Sequence, residues 1–204
     1  MADHRRVLVS FSLAAMALAA CTTEHAGVPV AQRGPLTTST TQPPSSSTSS
    51  PTSVPRPRDL VMSGSRPCDL LTPDQQRRFG IDDQPRTDDD PTLRAQSCYF
   101  DSNKQRTTFA ISALTSFGIE RFQPRKINGE VRPLTVRAFP AVEVFTQTIE
   151  SIDMFCVVVV DVAAGQAVHV NFREAGLRPH LGRAEVCRRA AEVADVVMGN
   201  LLAR

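Results

Sequence analysis

The side chains best suited to chemistry near neutral pH are few in this sequence. Two histidines, His169 and His180, lie in its second half, and histidine is the usual general acid or base at pH 7. His169 alternates with valine and phenylalanine in the stretch AVHVNF, which predicts a strand histidine on the face away from the core, solvated or hydrogen-bonded. His180 follows Pro179 and is expected in a loop. Neither lies in a nucleophile motif such as G-x-S-x-G or S-x-x-K, so no catalytic residue is expected.

The five cysteines are expected to have two different roles, one for Cys21 and another for the remaining four. Cys21 ends the segment Leu-Ala-Ala-Cys, which resembles a bacterial lipobox, so its thiol is expected to carry a lipid. The other four, an even number in an exported chain, predict two disulfides with three possible connectivities. We favour Cys68–Cys98 and Cys156–Cys187, because each bond then joins neighbouring segments. Each would close a loop of about thirty residues, worth roughly 3–4 kcal/mol in the chain-entropy model.

Metal binding is not expected. No cysteines are spaced C-x-x-C and the histidines form no H-x-x-x-H pair, which argues against zinc. The segment 82–92 is rich in aspartate but lacks the spacing and closing glutamate of a calcium loop, so we interpret it as a solvated acidic loop. The carboxylates concerned are Asp82, Asp83, Asp88, Asp89 and Asp90. No cofactor motif is present either.

The first twenty residues indicate export. Arg5 and Arg6 precede an uncharged, mostly apolar run over 7–20. Fourteen helical residues span about 21 Å, less than the roughly 30 Å hydrocarbon core, so the run is typical of a signal peptide. The alternative is an ordinary secretory signal with a chance cysteine. With Cys21 lipidated, 1–20 would be removed and a diacyl anchor would hold the protein at the extracytoplasmic face of the cell membrane.

Residues 21–62 are predicted to be a lipidated N-terminus followed by a disordered tether. From Pro35 to Pro57, nineteen of twenty-three residues are Pro, Ser or Thr. Such a segment buries too little apolar surface to offset its ordering entropy, and its prolines favour an extended spacer. The same composition also occurs in O-glycosylated stalks.

The globular domain is expected at 63–204, a length sufficient for a hydrophobic core. It carries 18 Lys and Arg against 18 Asp and Glu, so its net charge is zero. A nucleic-acid binder would show an excess of basic residues, and the single tyrosine and absent tryptophan disfavour a stacking surface for single strands. Nucleic acid is therefore excluded as a partner.

Sequence patterns predict the elements that position these residues. Thr72, Pro73 and Gln75 form a capping box that begins a short helix ending at Gly80. The near-continuous β-branched run over 155–162 predicts a central strand buried on both faces. Further strands are expected over 107–114, 131–137, 141–148 and 167–172, with a turn at Phe139-Pro140 and a short helix over 116–123.

The last helix, about 183–202, has the clearest pattern. Its apolar residues follow helical spacing and form one stripe: Val186, Ala190, Val193, Ala194, Val197 and Leu201. Strands do not alternate regularly with helices, so we predict an α+β fold in which this helix and one or two shorter ones pack on an antiparallel sheet. A Cys156–Cys187 bond would join the central strand to this helix.

These segments together resemble a known family. The stretches PCDLLTPDQQRRFGI, AFPAVEV, CVVVVDVAAGQAVHV and CRRAAEVADVVMGNL, in this order over 67–201, are similar to an actinobacterial lipoprotein family known only as a domain of unknown function (DUF3558-like). The resemblance implies that the protein is a membrane-anchored lipoprotein. It also supports the disulfide pairing, since the four cysteines match the family pattern. Members usually have tryptophan soon after the second domain cysteine, where this chain has Tyr99-Phe100. No reaction or ligand is implied.

Two classes of function remain. The first is a non-catalytic envelope lipoprotein that binds another protein or a small ligand outside the membrane. The second is a cell-envelope enzyme, such as a hydrolase, whose site is assembled from scattered residues. Titratable groups converging in a deep pocket would favour the enzyme, and a shallow apolar groove would favour the binding module. The sequence favours the binding module.

Overall fold

A computed structural model describes residues 55–146, 154–176 and 179–204. The expected signal peptide, Cys21 and most of the expected tether lie outside these residues. No helix in the described part of the chain is long and apolar enough to cross a membrane.

The described residues form a seven-stranded antiparallel sheet with a long helix on one face, which confirms the predicted α+β class. The strands are β1 (Arg86–Asp90), β2 (Ala95–Ser102), β3 (Thr107–Leu114), β4 (Glu130–Val136), β5 (Phe139–Thr146), β6 (Phe155–Ala163) and β7 (Gln166–Glu174). The helices are α1 (Pro73–Arg78) and α2 (Arg183–Leu202), and 3-10 turns occupy Pro67–Leu70 and Ile119–Phe122. The strand order is β1-β2-β3-β7-β6-β5-β4, so β6 and β7 are interior strands.

The predicted helix signals are confirmed. Thr72 accepts a hydrogen bond from the backbone N–H of Gln75, whose side chain accepts one from the backbone N–H of Thr72. The helix then stops at Gly80, which has a positive φ of 75°. The predicted stripe of α2 is buried along its whole length, because that face lies on the sheet.

Three local predictions are wrong. Part of the expected acidic loop forms the edge strand β1, because Arg86–Asp90 pairs in register with β2 although its side chains are mostly exposed. The β4–β5 turn lies at Arg137-Ala138, while Phe139 and Pro140 already belong to β5. The short helix predicted over 116–123 is a single 3-10 turn.

The sheet has a core on each face. On the α2 face, Phe100, Ile111 and Val158 belong to the main cluster, together with the α2 stripe. On the opposite face, a smaller cluster contains Val157 and Val159 beneath Phe122. The strand β6 contributes to both clusters, which confirms that it is buried on both sides.

The two disulfides tie these layers together. Cys68–Cys98 joins the first 3-10 turn to β2, and Cys156–Cys187 joins β6 to α2. Both predicted pairings are therefore confirmed.

The last residues of the expected tether contact the domain. The backbone N–H of Leu60 donates to the carbonyl of Val162 at 2.7 Å, and Arg56 pairs with Asp161 at 2.7 Å. Met62 is only 1% exposed. These contacts hold the chain against the β6–β7 hairpin several residues before position 63.

Candidate functional site

A groove of about 600 Å³ lies on the α2 side of the sheet. Its lining comes from the C-terminal end of α1, from β4 with the following turn, and from the outer face of α2. Apolar side chains form much of this lining: Phe79, Leu134, Val136, Ala191 and Val196. We call this cavity the helix groove.

Charged side chains surround the helix groove. Arg137 donates from Nε to the backbone carbonyl of Asp195 at 2.8 Å and pairs with its carboxylate at 2.7 Å. Arg188 pairs with Glu192. The guanidinium of Arg78 is exposed and has no hydrogen bond or ion pair within the described ranges. Three arginines against two carboxylates give the groove one net positive charge, and Arg78 carries it unpaired.

The second group of interest lies on the other face of the sheet. Ser97, Ser112 and His169 occupy one row across β2, β3 and β7. The two serine hydroxyls are 2.6 Å apart, and both residues are 1% exposed. A histidine and two serines, which are residue types found in hydrolase active sites, are neighbours in this row. All three side chains are buried.

The prediction of a solvated His169 is wrong. The residue is on the predicted face, but it is only 6% exposed and its ring lies 5.7 Å from that of Phe122. Its Nδ1 has no hydrogen-bond partner among the described residues. Burial lowers the pKa of His169 to about 4, against a smaller opposing effect of Asp90. The imidazole is therefore neutral at pH 7.

His180 lies in the loop before α2, as predicted. Its Nδ1 is 2.6 Å from the carboxylate of Glu174, which is 1% exposed. The same carboxylate accepts the backbone N–H of Leu181 at 2.5 Å. His180 therefore holds a buried carboxylate at the end of β7, which is a structural role.

The expected disulfide cysteines and the acidic residues do not form a metal centre in the described residues. Glu143 lies beside Cys156 and Cys187, but these sulfurs are bonded to each other and offer no thiolate. Asp82 instead accepts the backbone N–H groups of Asn103 and Lys104, which lower the pKa of its carboxyl group.

The remaining acidic residues have similar local roles. Asp90 accepts the backbone N–H groups of Thr92 and Leu93 in the β1–β2 turn, and Asp88 and Asp89 are exposed on β1. The expected lipid site, Cys21, lies outside the described residues.

The sequence analysis missed the helix groove. Its residues belong to three separate elements, and those of α2 lie beside the apolar stripe rather than in it. One available signal was the pair Ala191 and Val196, which are apolar residues outside the stripe on an otherwise charged helix face.

Neither a curated protein nor a solved structure matches this chain. A family model described as a protein of unknown function (DUF3558) matches residues 16–200. This range covers most of the chain, including all of the sheet and nearly all of α2. The chain therefore belongs to the DUF3558 family.

Proposed function

We propose that this protein is an exported lipoprotein, anchored to the membrane through Cys21, whose domain is a non-catalytic binding module for another envelope protein. The observation that carries the proposal is the helix groove, an apolar cavity open to solvent between α1, β4 and α2. Its volume lies within the roughly 300–1,000 Å³ range of ligand sites. The signal peptide, lipobox and tether support the location.

The groove lacks the features of an active site. Its lining includes arginine, glutamate, aspartate and threonine but no histidine or cysteine, and two of its arginines are engaged in ion pairs. An activated nucleophile needs a base within hydrogen-bond reach and access to substrate. The Ser97–Ser112–His169 row lies on the other face and is buried. These features support binding over hydrolysis, the alternative function.

The sheet edges make strand addition to this domain unfavourable. The outer strand β1 has the sequence RTDDD, and the outer strand β4 contains Pro133, which has no N–H to donate. Charged residues and proline on edge strands prevent pairing with another chain. A partner is therefore expected to use side-chain contacts in the helix groove rather than backbone pairing.

The chemistry of the groove indicates the kind of partner segment. The apolar lining suits an apolar segment, and the unpaired charge of Arg78 suits an acidic residue next to it. We therefore expect a short apolar segment of an envelope protein, flanked by aspartate or glutamate, to occupy the groove.

Site-specific photo-crosslinking of the full chain in its native cells tests this expectation. A photoreactive amino acid at Leu134, which lines the groove on the α2 face of β4, should give an adduct whose crosslinked peptide is apolar with an acidic residue. The same amino acid at Asp88, on the opposite sheet edge, is the matched control and should not give this adduct.

Blocking variants make the test specific. Ala191→Arg should fill the groove and abolish the adduct, Arg78→Glu should weaken it strongly, and Ala191→Ser should leave it unchanged. An adduct that persists in Ala191→Arg, or that also forms from position 88, would contradict the proposed docking site. Export and disulfide formation of each variant provide the folding control.

A histidine substitution separates the two function classes. Because His169 is buried and neutral, His169→Gln should leave any cellular phenotype of the protein intact if the domain folds and is exported normally. A folded, exported His169→Gln protein that behaves like a deletion would favour the hydrolase instead.

A further inference from the structure

A second cavity lies on the sheet face opposite α2, and we call it the sheet notch. It has a volume of about 240 Å³ and lies over β2, β3 and β7. Its lining residues are Tyr99, Thr108, Ala110, Asn171 and Arg173. Since three adjacent strands supply all of them, the hydrogen-bonded sheet holds the notch rigidly.

The strand register explains why a cavity exists here. Tyr99, Ala110 and Asn171 are directly opposite one another in consecutive strands. Residues in such a row project from the same face, about 5 Å apart. The small side chain of Ala110 between two large ones leaves a gap, with the tyrosine ring on one side and the amide of Asn171 on the other.

Two polar groups of the notch lack partners. The Oδ1 of Asn171 is buried and has no hydrogen bond in the part of the chain that the structure describes. The guanidinium of Arg173 is exposed and has no hydrogen bond or ion pair in the same residues. A buried polar atom without a partner is costly, and such atoms are rare in folded proteins. A bound molecule would satisfy both groups.

The neighbouring charges define the charge of that molecule. Asp101 lies in the same cross-strand row as Thr108 and Arg173. It accepts the Thr108 hydroxyl at 2.7 Å and pairs with Arg86 at 3.1 Å, so its charge is already balanced. One positive charge, that of Arg173, remains. A singly charged anion matches it, whereas a phosphate dianion would keep one negative charge without a partner.

We propose that the sheet notch binds a small carboxylate that also carries hydroxyl groups, such as a sugar acid or hydroxy acid. The carboxylate pairs with Arg173, and a hydroxyl donates to Oδ1 of Asn171. The ring of Tyr99 provides an apolar wall for the carbon skeleton. This site differs from the helix groove in position, size and ligand chemistry, and it does not depend on the proposed function.

The protein contains its own probe for this test. Tyr99 is the only tyrosine in the sequence and there is no tryptophan, so tyrosine fluorescence reports on the notch alone. The full chain, in a non-ionic detergent, is titrated with galacturonate, galactose and acetate. Galacturonate has both the carboxylate and the hydroxyls, and each of the other two probes has one of these features.

Galacturonate should change the fluorescence in a saturable way, with an affinity at least about tenfold higher than that of galactose or acetate. Arg173→Gln should weaken galacturonate binding by about tenfold or more, since a charge-assisted hydrogen bond is lost. Asn171→Asp, which keeps the shape but adds a negative charge, should weaken it at least as much. Arg78→Gln, at an exposed unpaired arginine on the other face, should leave it unchanged.

The proposal is overturned by any of three results. Galacturonate fails to bind saturably, galactose or acetate binds equally well, or Arg173→Gln and Asn171→Asp retain full affinity while circular dichroism shows them folded. Failure of the groove crosslink would leave these measurements unaffected, because the side chains of Leu134 and Ala191 lie on the other face of the sheet.

Discussion

At the scale of single residues, what covers a side chain decides its chemistry. The alternation of AVHVNF correctly predicted the face on which His169 lies. It could not show that Phe122, 47 positions earlier in the chain, lies over that face. Since Phe122 belongs to a distant segment, the burial of the His169 imidazole and the lowering of its pKa arise only in the folded molecule.

This burial predicts that the protein becomes less stable in mild acid. The pKa of His169 is about 4 when folded, against 6.5 for an unperturbed histidine. As the pH falls from about 6.5 to about 4, the unfolded chain takes up a proton that the folded chain cannot, so stability is lost over this range. The loss from His169 should reach about 3 kcal/mol.

Urea unfolding of the wild type and His169→Gln at about pH 7 and about pH 4 measures this contribution. Other groups titrate in both proteins, so only the difference between the two pH dependences counts. The fall in unfolding free energy should be about 3 kcal/mol smaller in the variant. Equal falls in both proteins would show that His169 does not titrate as described.

At the scale of elements, sequence signals predict local structure reliably when the interactions behind them involve only residues close in sequence. The capping box of α1 and the apolar stripe of α2 need only residues close in sequence. The β4–β5 turn is different, because Arg137 and Ala138 both have positive φ, 47° and 69°. A two-residue hairpin turn of this kind strongly favours glycine and asparagine, so the sequence contains no signal for it.

The strain at this turn predicts a stabilising substitution. Ala138→Gly removes the side chain from a left-handed conformation and should raise the unfolding free energy by about 1 kcal/mol. The matched control is Gly165→Ala in the β6–β7 turn, where φ is 66°, and it should lose about as much. Thermal unfolding of both variants measures these changes. A melting temperature of Ala138→Gly below that of the wild type would contradict the turn geometry.

The two disulfides should contribute unequally. Their sequence separations, 30 and 31 residues, are nearly the same, so chain entropy predicts about 3–4 kcal/mol for each. Cys156 and Cys187 are both buried between sheet and helix, whereas Cys68 is only partly buried. Replacing the inner pair with alanine also leaves a cavity, and it should cost more.

Denaturant unfolding of the two double-alanine variants measures this difference. The Cys156→Ala/Cys187→Ala protein should be the less stable by about 1 kcal/mol or more. An equal or larger loss in Cys68→Ala/Cys98→Ala would show that loop closure, rather than core packing, dominates both bonds.

At the scale of the whole molecule, the protein presents two different faces. The α2 side carries an apolar groove with one unpaired arginine, and the opposite side carries a small polar notch. The outer strands between these faces carry charge and proline, which suits a domain that binds through side chains. The lipid anchor proposed above would place such a domain near its partners at a high local concentration.

The proposed anchor predicts the fate of a single substitution. Cys21→Ser should leave unprocessed precursor or soluble protein with no incorporated fatty acid, because no thiol remains for diacylation. Labelling of cells with a palmitate analogue, followed by fractionation, measures both effects, with Thr22→Ser as the matched control. Continued labelling of the Cys21→Ser protein would contradict the lipobox.

The sequence by itself determined the features that depend on nearby residues: the capping box, the strand and helix periodicities, and the even set of four cysteines. The α+β class and both disulfide pairs followed from these and are confirmed. Only the tertiary structure decided the helix groove, the sheet notch and the burial of His169. Each of these joins side chains from segments far apart in the chain, and their contacts depend on strand order and register, which local periodicity does not encode.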